Sequence, residues 1–557
     1  MKKIKNFLFI FLSIVLLPFI FSCKKTDLYT VSFNSLGGSQ ISEVTVEGGN
    51  TIVAPSNPVY GLNSFMGWFT DEDCSTQFDF TTSINSDITL FAKWNRVINI
   101  YTVNDFHGAI EDKAAKVGEY LISNDLDNKE NTIILSAGDM FQGSGLSNYS
   151  RGLDMINIMN MIGFDAMSVG NHEFDWELNT ILNYFDSDLT NGEAKFPILG
   201  CNVVDKTTGL IPANMNAYTI IEKEDIKIGI IGYIGSTLED SIASDMVNNY
   251  EFLDPVSIIS NISTDLHQNH DVDIVIALGH DASDDVNRSL ANLNGDSRVD
   301  AIINGHTHVR SSGTIRRSSD NTKVPYVQAG SSGEAVGVIS LVLDSNNYSV
   351  ENATSLTKLI TSSAKENLDI KNYVNKILED TSDYFDRVIG VSGTDLNVYD
   401  GSKWAANSIL DYCKEKYSVC DVAFINKGGI RESAFPIKLD EEITIKRIFS
   451  MMPFDNTINF STIKGNVLRN LIINGTELTY STNSVNVDGS NVYINGVLLN
   501  DDATYRVAVV DYIFDKDTYP FKKGDDCYLA GILLRDILIQ NIEGATSSGN
   551  KCFIGKE

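Results

Sequence analysis

The sequence predicts a multidomain protein: a small all-β module, then a layered α/β domain, a connector helix and a mixed α/β C-terminal domain. Three observations carry that expectation. A chain of 557 residues that is 43% hydrophobic is too long for one core and apolar enough to build several. Between about residues 28 and 94, short alternating stretches are broken by paired glycines, which is strand and turn chemistry. From about residue 96, apolar runs alternate with amphipathic segments, the pattern of strands covered by helices.

The elements follow in chain order. Lys2, Lys3 and Lys5 precede an uncharged apolar run at 7–22, and Cys23 is followed at once by Lys24 and Lys25. A basic start with a run too short for a membrane-spanning helix marks a targeting segment, placed at 1–23, and no other stretch is long and apolar enough to span a bilayer. The β module is placed at 24–95, with strands at 29–33 and 44–46 and turns at Gly37-Gly38 and Gly48-Gly49. The α/β domain is placed at 96–355, where 97–103, 132–135, 228–231, 274–278 and 301–303 read as strands and 153–162 as an amphipathic helix. In the connector, placed at 356–390, Ile370, Val374, Ile377 and Leu378 stand among Asn372, Lys376, Glu379 and Asp380, which reads as one helix over 364–387. Residues 391–557 are assigned to the C-terminal domain.

Charge narrows the function. With 73 acidic against 43 basic side chains the formal charge is −30, which argues against a protein that holds nucleic-acid polymers by neutralising phosphates. A small phosphorylated ligand stays open, provided its site supplies local positive charge. Beyond Cys23 the cysteines are Cys74, Cys201, Cys413, Cys420, Cys527 and Cys552, too few in so long a chain for a disulfide scaffold. For the nearest pair, Cys413 and Cys420, free buried thiols are the expectation.

Histidine carries the chemical signal. Of seven histidines, five fall in short motifs that follow apolar runs, where strands end and loops open. In order the motifs are Asn104-Asp105-Phe106-His107-Gly108, Gly138-Asp139, Gly170-Asn171-His172-Glu173-Phe174-Asp175, Gly279-His280 and Gly305-His306-Thr307-His308. A pair of divalent cations needs a bridging carboxylate, neutral imidazoles and other oxygen donors, with positions left open for water and substrate. Asp-x-His and His-x-His let alternate residues of an extended segment present two ligands to one point, and the adjoining glycines allow tight turns. His267 and His270 lie in a polar stretch and read as ordinary hydrogen-bonded residues. No motif contains cysteine, so a thiolate site is not expected.

This order of motifs resembles the calcineurin-like metallophosphoesterases, and within them the bacterial 5′-nucleotidases, over about 96–557. The resemblance implies a four-layer sandwich of two sheets flanked by helices, and two divalent metal ions: zinc, manganese, cobalt or iron. It implies that Asp105, His107, Asp139 and His308 bind one metal with Asp139 bridging, and that Asn171, His280 and His306 complete the second site. His172 and Asp175 are implied to be a catalytic dyad, His172 stabilising the transition state or protonating the leaving oxygen; Glu173 reads as supporting or surface, because the resemblance gives it no metal. Residues 20–23 resemble a lipoprotein signal in which Cys23 is lipid-modified, implying an exported protein anchored on the outer side of the membrane. Phe65-Met66-Gly67-Trp68-Phe69 and the ending at Trp94 resemble an internalin-type B repeat, expected to act as a spacer or to make a surface contact.

Beyond the metal motifs, Asn426-Lys427-Gly428-Gly429-Ile430-Arg431 resembles the family's substrate loop, so Asn426, Gly429 and Arg431 are expected at phosphate. Phe454, in Met452-Pro453-Phe454-Asp455-Asn456-Thr457, and Tyr512 are expected to sandwich a base, with Asp526 accepting from ribose hydroxyls. The chain departs from the family in having Tyr512 for phenylalanine, an insertion at 515–523, Asp525 and Cys527 in the ribose loop, and Lys403 as the sole cation at 401–407, where the family has an arginine. The expected substrate is a nucleotide, delivered to the metals by closure about the connector. The expected reaction is phosphate monoester hydrolysis outside the cell; cleavage of nucleotide sugars or 2′,3′-cyclic nucleotides, a vestigial adhesin and a nucleotide-binding lipoprotein are the alternatives.

Overall fold

The structure is a computed structural model, and it describes residues 27–553 apart from 62, 243, 345, 346, 419, 515 and 517. The targeting segment and Cys23 lie outside the described residues. The chain divides into two compact units, Met1–Arg96 and Val97–Glu557. Among the described residues no helix is long and apolar enough to cross a membrane.

In the first unit, strand Leu28–Asn34 pairs antiparallel with Val44–Glu47 and parallel with the opening of strand Ile88–Val103, whose other edge takes Ser64–Phe69. Val31, Trp68, Leu90, Ala92 and Trp94 are buried, and the alternation at 90, 92 and 94 is the period of a strand with one face on a core. Trp94 donates from Nε1 to the Ser35 carbonyl at 2.9 Å. Gly38 lies so close beneath that indole that a Cβ there would stand 2.4 Å from it, which explains one glycine of the first pair.

The second unit opens with two sheets face to face. One runs, in spatial order, Val350–Leu359, Ala335–Asp344, the close of Ile88–Val103, Thr132–Ser136, Ala166–Ser168 and Ile198–Leu199; the last four are parallel. The other runs Arg310–Arg316, Lys323–Ala329, Ala301–Ile303, Ile274–His280, Ile226–Ile234 and Tyr218–Lys223. Ile98, Ile100, Ile133 and Leu135 meet Ile228, Ile274, Ile276, Leu278 and Ile303 between the sheets. The alternate residues turn outward: Val103, Ile134 and Met167 against helices Ala115–Asn128 and Leu153–Ile162, and Val275, Ala277 and Ile302 against Pro255–Asn269 and Asp284–Ala291. Burial on both faces is why these strands read as unbroken apolar runs, and the result is the four-layer sandwich that the family resemblance implies.

Helix Leu368–Phe385 follows, capped by the Asn367 side chain, which accepts from the Ile370 N–H at 3.2 Å. Its apolar stripe is divided: Ile370 and Val374 enter the core beside the first sheet, while Ile377 and Phe385 enter the core of the C-terminal region. That region is a five-stranded mixed sheet in the order Leu478–Tyr480, Val422–Asn426, Thr504–Val510, Thr457–Lys464, Asp525–Leu533. Helices Val398–Tyr417 and Leu534–Ser547 pack on it through Ala405, Ile409, Ile537 and Leu538. Cys413 and Cys420 lie in this core as free thiols.

Candidate active site

The motif residues stand just past strand ends: Asp105 and His107 after Val103, Asp139 after Ser136, Asn171 after Ser168, His280 at the end of its own strand, and His306 and His308 after Ile303. Five of these side chains hang on left-handed backbone, with φ of +49° at Asp105, +50° at His107, +54° at Asp139, +81° at His306 and +59° at His308. Non-glycine residues rarely hold that conformation, and such strain persists where surrounding structure fixes side chains for a task. Gly138 is needed where it is, because a Cβ there would lie 2.8 Å from the Gly170 nitrogen and 2.9 Å from the His280 ring.

Two donor clusters result, and a third grouping that contains His107 and Asp139 links them. Asp105, His107 and His308 form one; Asp139, His280 and His306 form the other, and His107 reaches Asp139 through a third grouping with His172. Within them His107 Nε2 stands 3.0 Å from His308 Nε2, the Asn171 amide oxygen lies 3.1 Å from His280 Nε2 and 3.0 Å from His306 Nδ1, and His280 Nε2 is 3.1 Å from Asp139 Oδ2. Donor atoms placed about 2.1 Å from a cation lie roughly 3.0–3.4 Å from one another, so these spacings fit metal coordination. The tautomers fit as well. His107 uses Nδ1 on the Gln142 carbonyl at 3.0 Å and His280 uses Nδ1 on the Ala137 carbonyl at 2.7 Å, which leaves the lone pair of each Nε2 aimed into its cluster. Asp105, Asp139, Asn171 and His280 are buried, whereas His308 is partly open to solvent.

The electrostatics are those of a crowded polar pocket. Burial pushes the His107 imidazolium down to about 4, helped by the nearby charge of His172. Burial also works against the Asp139 carboxylate, but the imidazoles of His280 and His172 hold its pKa well below the usual carboxylate range. For His172 burial disfavours the charge, and Asp175 and Asp139 overcome it and raise the ring to about 9. Its Nδ1 donates to Asp175 Oδ2 at 2.7 Å, which leaves Nε2 as the free edge. The structure thus joins the expected dyad.

Glu173 is buried, which removes the surface alternative. Its carboxylate accepts from the backbone N–H of Asp139 at 2.8 Å, Met140 at 2.9 Å and Gly170 at 2.7 Å, tying together the loops that carry Asp139 and Asn171. His267 and His270 are remote, bonded to the Ser263 carbonyl and paired with Asp265.

A cleft of about 440 Å³ opens from Asp139, Asn171, His172 and His308 onto Asn426, Gly429, Arg431, Phe454 and Tyr512. Gly428, with φ of +81°, turns the loop that follows strand Val422–Asn426 and leads to Arg431. Among the described residues Arg431 has no carboxylate partner; its guanidinium stands 4.5 Å from the centre of the Phe454 ring, and burial lowers its pKa. Phe454 also stacks on His172, centroids 6.0 Å apart and planes at 26°. Tyr512 faces the same cleft, its hydroxyl accepting from Lys516 Nζ at 2.7 Å.

Asp526, expected at the ribose, lies elsewhere, and so does Lys403, the cation that stands where the family has an arginine. Asp526 lines a separate hollow with Tyr417, Phe460, Arg506 and Tyr528, because strand Asp525–Leu533 pairs with Thr457–Lys464 through two register shifts that carry it along the sheet edge. Lys403 lies among Asp400, Trp404 and Asn407 on helix Val398–Tyr417, over the Tyr399 ring and outside the cleft. Sequence reasoning missed Asp511, whose half-buried carboxylate accepts from Asn456 Nδ2, Thr457 N–H and Thr457 Oγ1 and so fixes the Phe454 segment beside Tyr512. It also missed Gln142 and Asn148, which donate to the Pro453 carbonyl across the cleft. An acid next to Tyr512 was the only signal, and partners this distant in sequence leave none.

The calcineurin-like phosphoesterase family matches residues 98–310, the part of the chain that carries the sandwich and the donor clusters at its strand ends. The 5′-nucleotidase C-terminal domain matches 388–523 and the Listeria-Bacteroides repeat domain 29–93, so three known domain types follow one another along the chain. It is 28% identical over 405 residues to snake venom 5′-nucleotidase of Crotalus adamanteus, covering 66% of this chain and 65% of that one, just under two thirds of the relative's length. It is 26% identical over 376 residues to the 5′-nucleotidase of Homo sapiens, covering 61% and 62%. The 5′-nucleotidase precursor of Thermus thermophilus shares the fold with a TM-score of 0.62 at 21% identity, over 80% of this chain and 96% of that one. The 5′-nucleotidase of Candida albicans does so with a TM-score of 0.57 at 14% identity, over 80% and 98%.

Proposed function

We propose that the protein hydrolyses the phosphate monoester of a nucleotide, releasing nucleoside and phosphate, with two divalent cations held between the strand ends. The observation that carries this reading is the pair of donor clusters linked through His107 and Asp139, beside a guanidinium that lacks a counter-ion among the described residues. Asp105, His107 and His308 would hold one cation and Asn171, His280 and His306 the other, with Asp139 placed to serve both. When bound, the cations supply an acidified water and neutralise charge on the phosphoryl oxygens.

The chain's own groups do the rest. Arg431 grips phosphate oxygens with its fork, and Asn426, Lys427 and Gly429 shape the loop around them. Phe454 and Tyr512 offer two faces for a base. Asp175 keeps Nδ1 of His172 protonated, so that Nε2 can donate to the phosphoryl group or to the departing 5′ oxygen. Asp526 is left out of this reading because it faces another hollow. Phosphate release from nucleoside monophosphates, cyclic nucleotides and nucleotide sugars, with and without chelator, tests it. Turnover of nucleoside monophosphates that survives chelation and dialysis would refute it.

A second substrate, a pyrophosphate-linked nucleotide, is favoured by one further observation. A chamber of about 580 Å³ opens beyond His107, His308 and Arg431, lined by Ser144, Ser332, Ser433 and Thr381, with room and hydroxyls for a polar group on the far side of the phosphate. The domain limits at 23, 95, 355 and 390, the role of the β module as a spacer, and export with lipid attachment at Cys23 complete the proposal. The basic and apolar run before that cysteine supports the anchor. If Cys23→Ser leaves the protein in the membrane fraction, the anchor is elsewhere.

A further inference from the structure

Asp455 follows Phe454, and its carboxylate is held from both sides of the cleft. Arg151, between helices Gly145–Tyr149 and Leu153–Ile162, donates from Nη1 to Asp455 Oδ2 at 2.6 Å, while Arg535, at the start of helix Leu534–Ser547, binds Asp455 Oδ1. Arg535 is buried, stands 4.0 Å from the centre of the Phe449 ring and also donates to the carbonyls of Met452 at 3.3 Å and Phe454 at 3.4 Å. With Gln142 and Asn148 on the Pro453 carbonyl, residues 452–455 are strung between donors from both sides of the cleft, and the Phe454 ring they carry lies against His172.

One arginine would suffice to neutralise a carboxylate that is 12% exposed, and Arg535 does so within the C-terminal region. The second contact does something different. Arg151 belongs to the sandwich that carries Asp139 and Asn171, so its bond fixes Asp455, and with it Phe454, relative to the metal-binding loops. We propose that Asp455 is a positioning residue which, by binding Arg151 and Arg535 together, sets the place of the Phe454 ring, the wall for the base, relative to the catalytic edge of His172. This rests on the nucleotide reading of the cleft, because a substrate held by its base feels that placement, whereas one held only by its phosphoryl group does not.

Arg151→Met tests it, since that side chain is half exposed, lies outside the cleft lining, and methionine preserves the apolar stem without the charge. Full-length, metal-loaded protein is assayed on a nucleoside monophosphate and on a small aryl phosphate. The nucleotide kcat/KM is expected to fall by about tenfold or more, and aryl phosphate turnover to stay within about twofold. Asp455→Asn is expected to behave alike, and the double variant to be no worse than the poorer single one, because the pair acts as a unit. Unchanged nucleotide kinetics in both single variants would overturn the proposal, as would equal losses on both substrates, which mark a general disturbance of the fold. A wild-type protein that turns over the aryl ester but no nucleotide would overturn the functional reading and the proposal with it.

Discussion

His172 and Glu173 are neighbours in sequence with opposite duties, one facing the cleft and one facing the backbone. His172→Ala removes a proton donor and no expected metal ligand, so metal content measured by emission spectrometry should hold while phosphate release falls by about 10²–10⁴. Full turnover, or loss of a metal equivalent, would move His172 out of that role. Glu173→Gln replaces an acceptor of three backbone N–H groups by an amide with one oxygen, and its NH₂ would face donors at Asp139 and Gly170 or at Met140. About 1–3 kcal/mol of stability should go, seen as a lower Tm, and metal should bind more weakly as the two loops loosen. An unshifted Tm would show that water satisfies those donors. The two residues also mark how far sequence carried at this scale. His172 was legible because its motif has chemical types in a recognisable order, whereas the partners of Glu173 are backbone groups up to 34 positions away, which no side-chain pattern announces.

Elements place these residues, and here the sequence was legible where one strand or helix carries its own signal. Apolar runs at 132–135 and 274–278 gave strands, and the polar residues after them fell at strand ends because a buried strand can expose chemistry only there. Asp526 shows the limit. A carboxylate there has the right chemistry for a ribose, but position along a sheet edge depends on pairing register, and its strand pairs with Thr457–Lys464 through two register shifts. The connector helix is a second case: its period was visible, but the division of its stripe between two cores was not, since that depends on what packs against it. This division makes a prediction. Ile370→Ala should open a cavity in the sandwich core and Ile377→Ala one in the C-terminal core, each costing about 2–5 kcal/mol. If domain closure needs the helix seated in both, either change should also alter the nucleotide KM; a stability loss with KM unmoved in both variants would show that the helix is only a tether.

At the scale of the whole molecule, a formal charge of −30 sets a problem that the site must solve locally. Asp105 and Asp139 are among the most deeply buried acids, at 0% and 1% exposed, and what surrounds them is imidazole and amide rather than lysine or arginine. Burying carboxylates so arranged is costly unless cations join them, so the folded chain and not the unfolded one should bind metal, and binding should feed directly into stability. With free metal at about 100 times Kd that linkage amounts to about 2.7 kcal/mol. Chelation should therefore lower the Tm of the unit Val97–Glu557 and abolish phosphate release together, and adding back a divalent cation should restore both. Hydrogen exchange sharpens the expectation, because the loss of protection should centre on the loops at 104–108, 137–143, 170–175 and 304–308 and leave the strands of the first unit untouched. A melting curve and exchange pattern indifferent to chelator, with activity intact, would mean that the buried acids are satisfied by protein alone and that the donor clusters hold no cation.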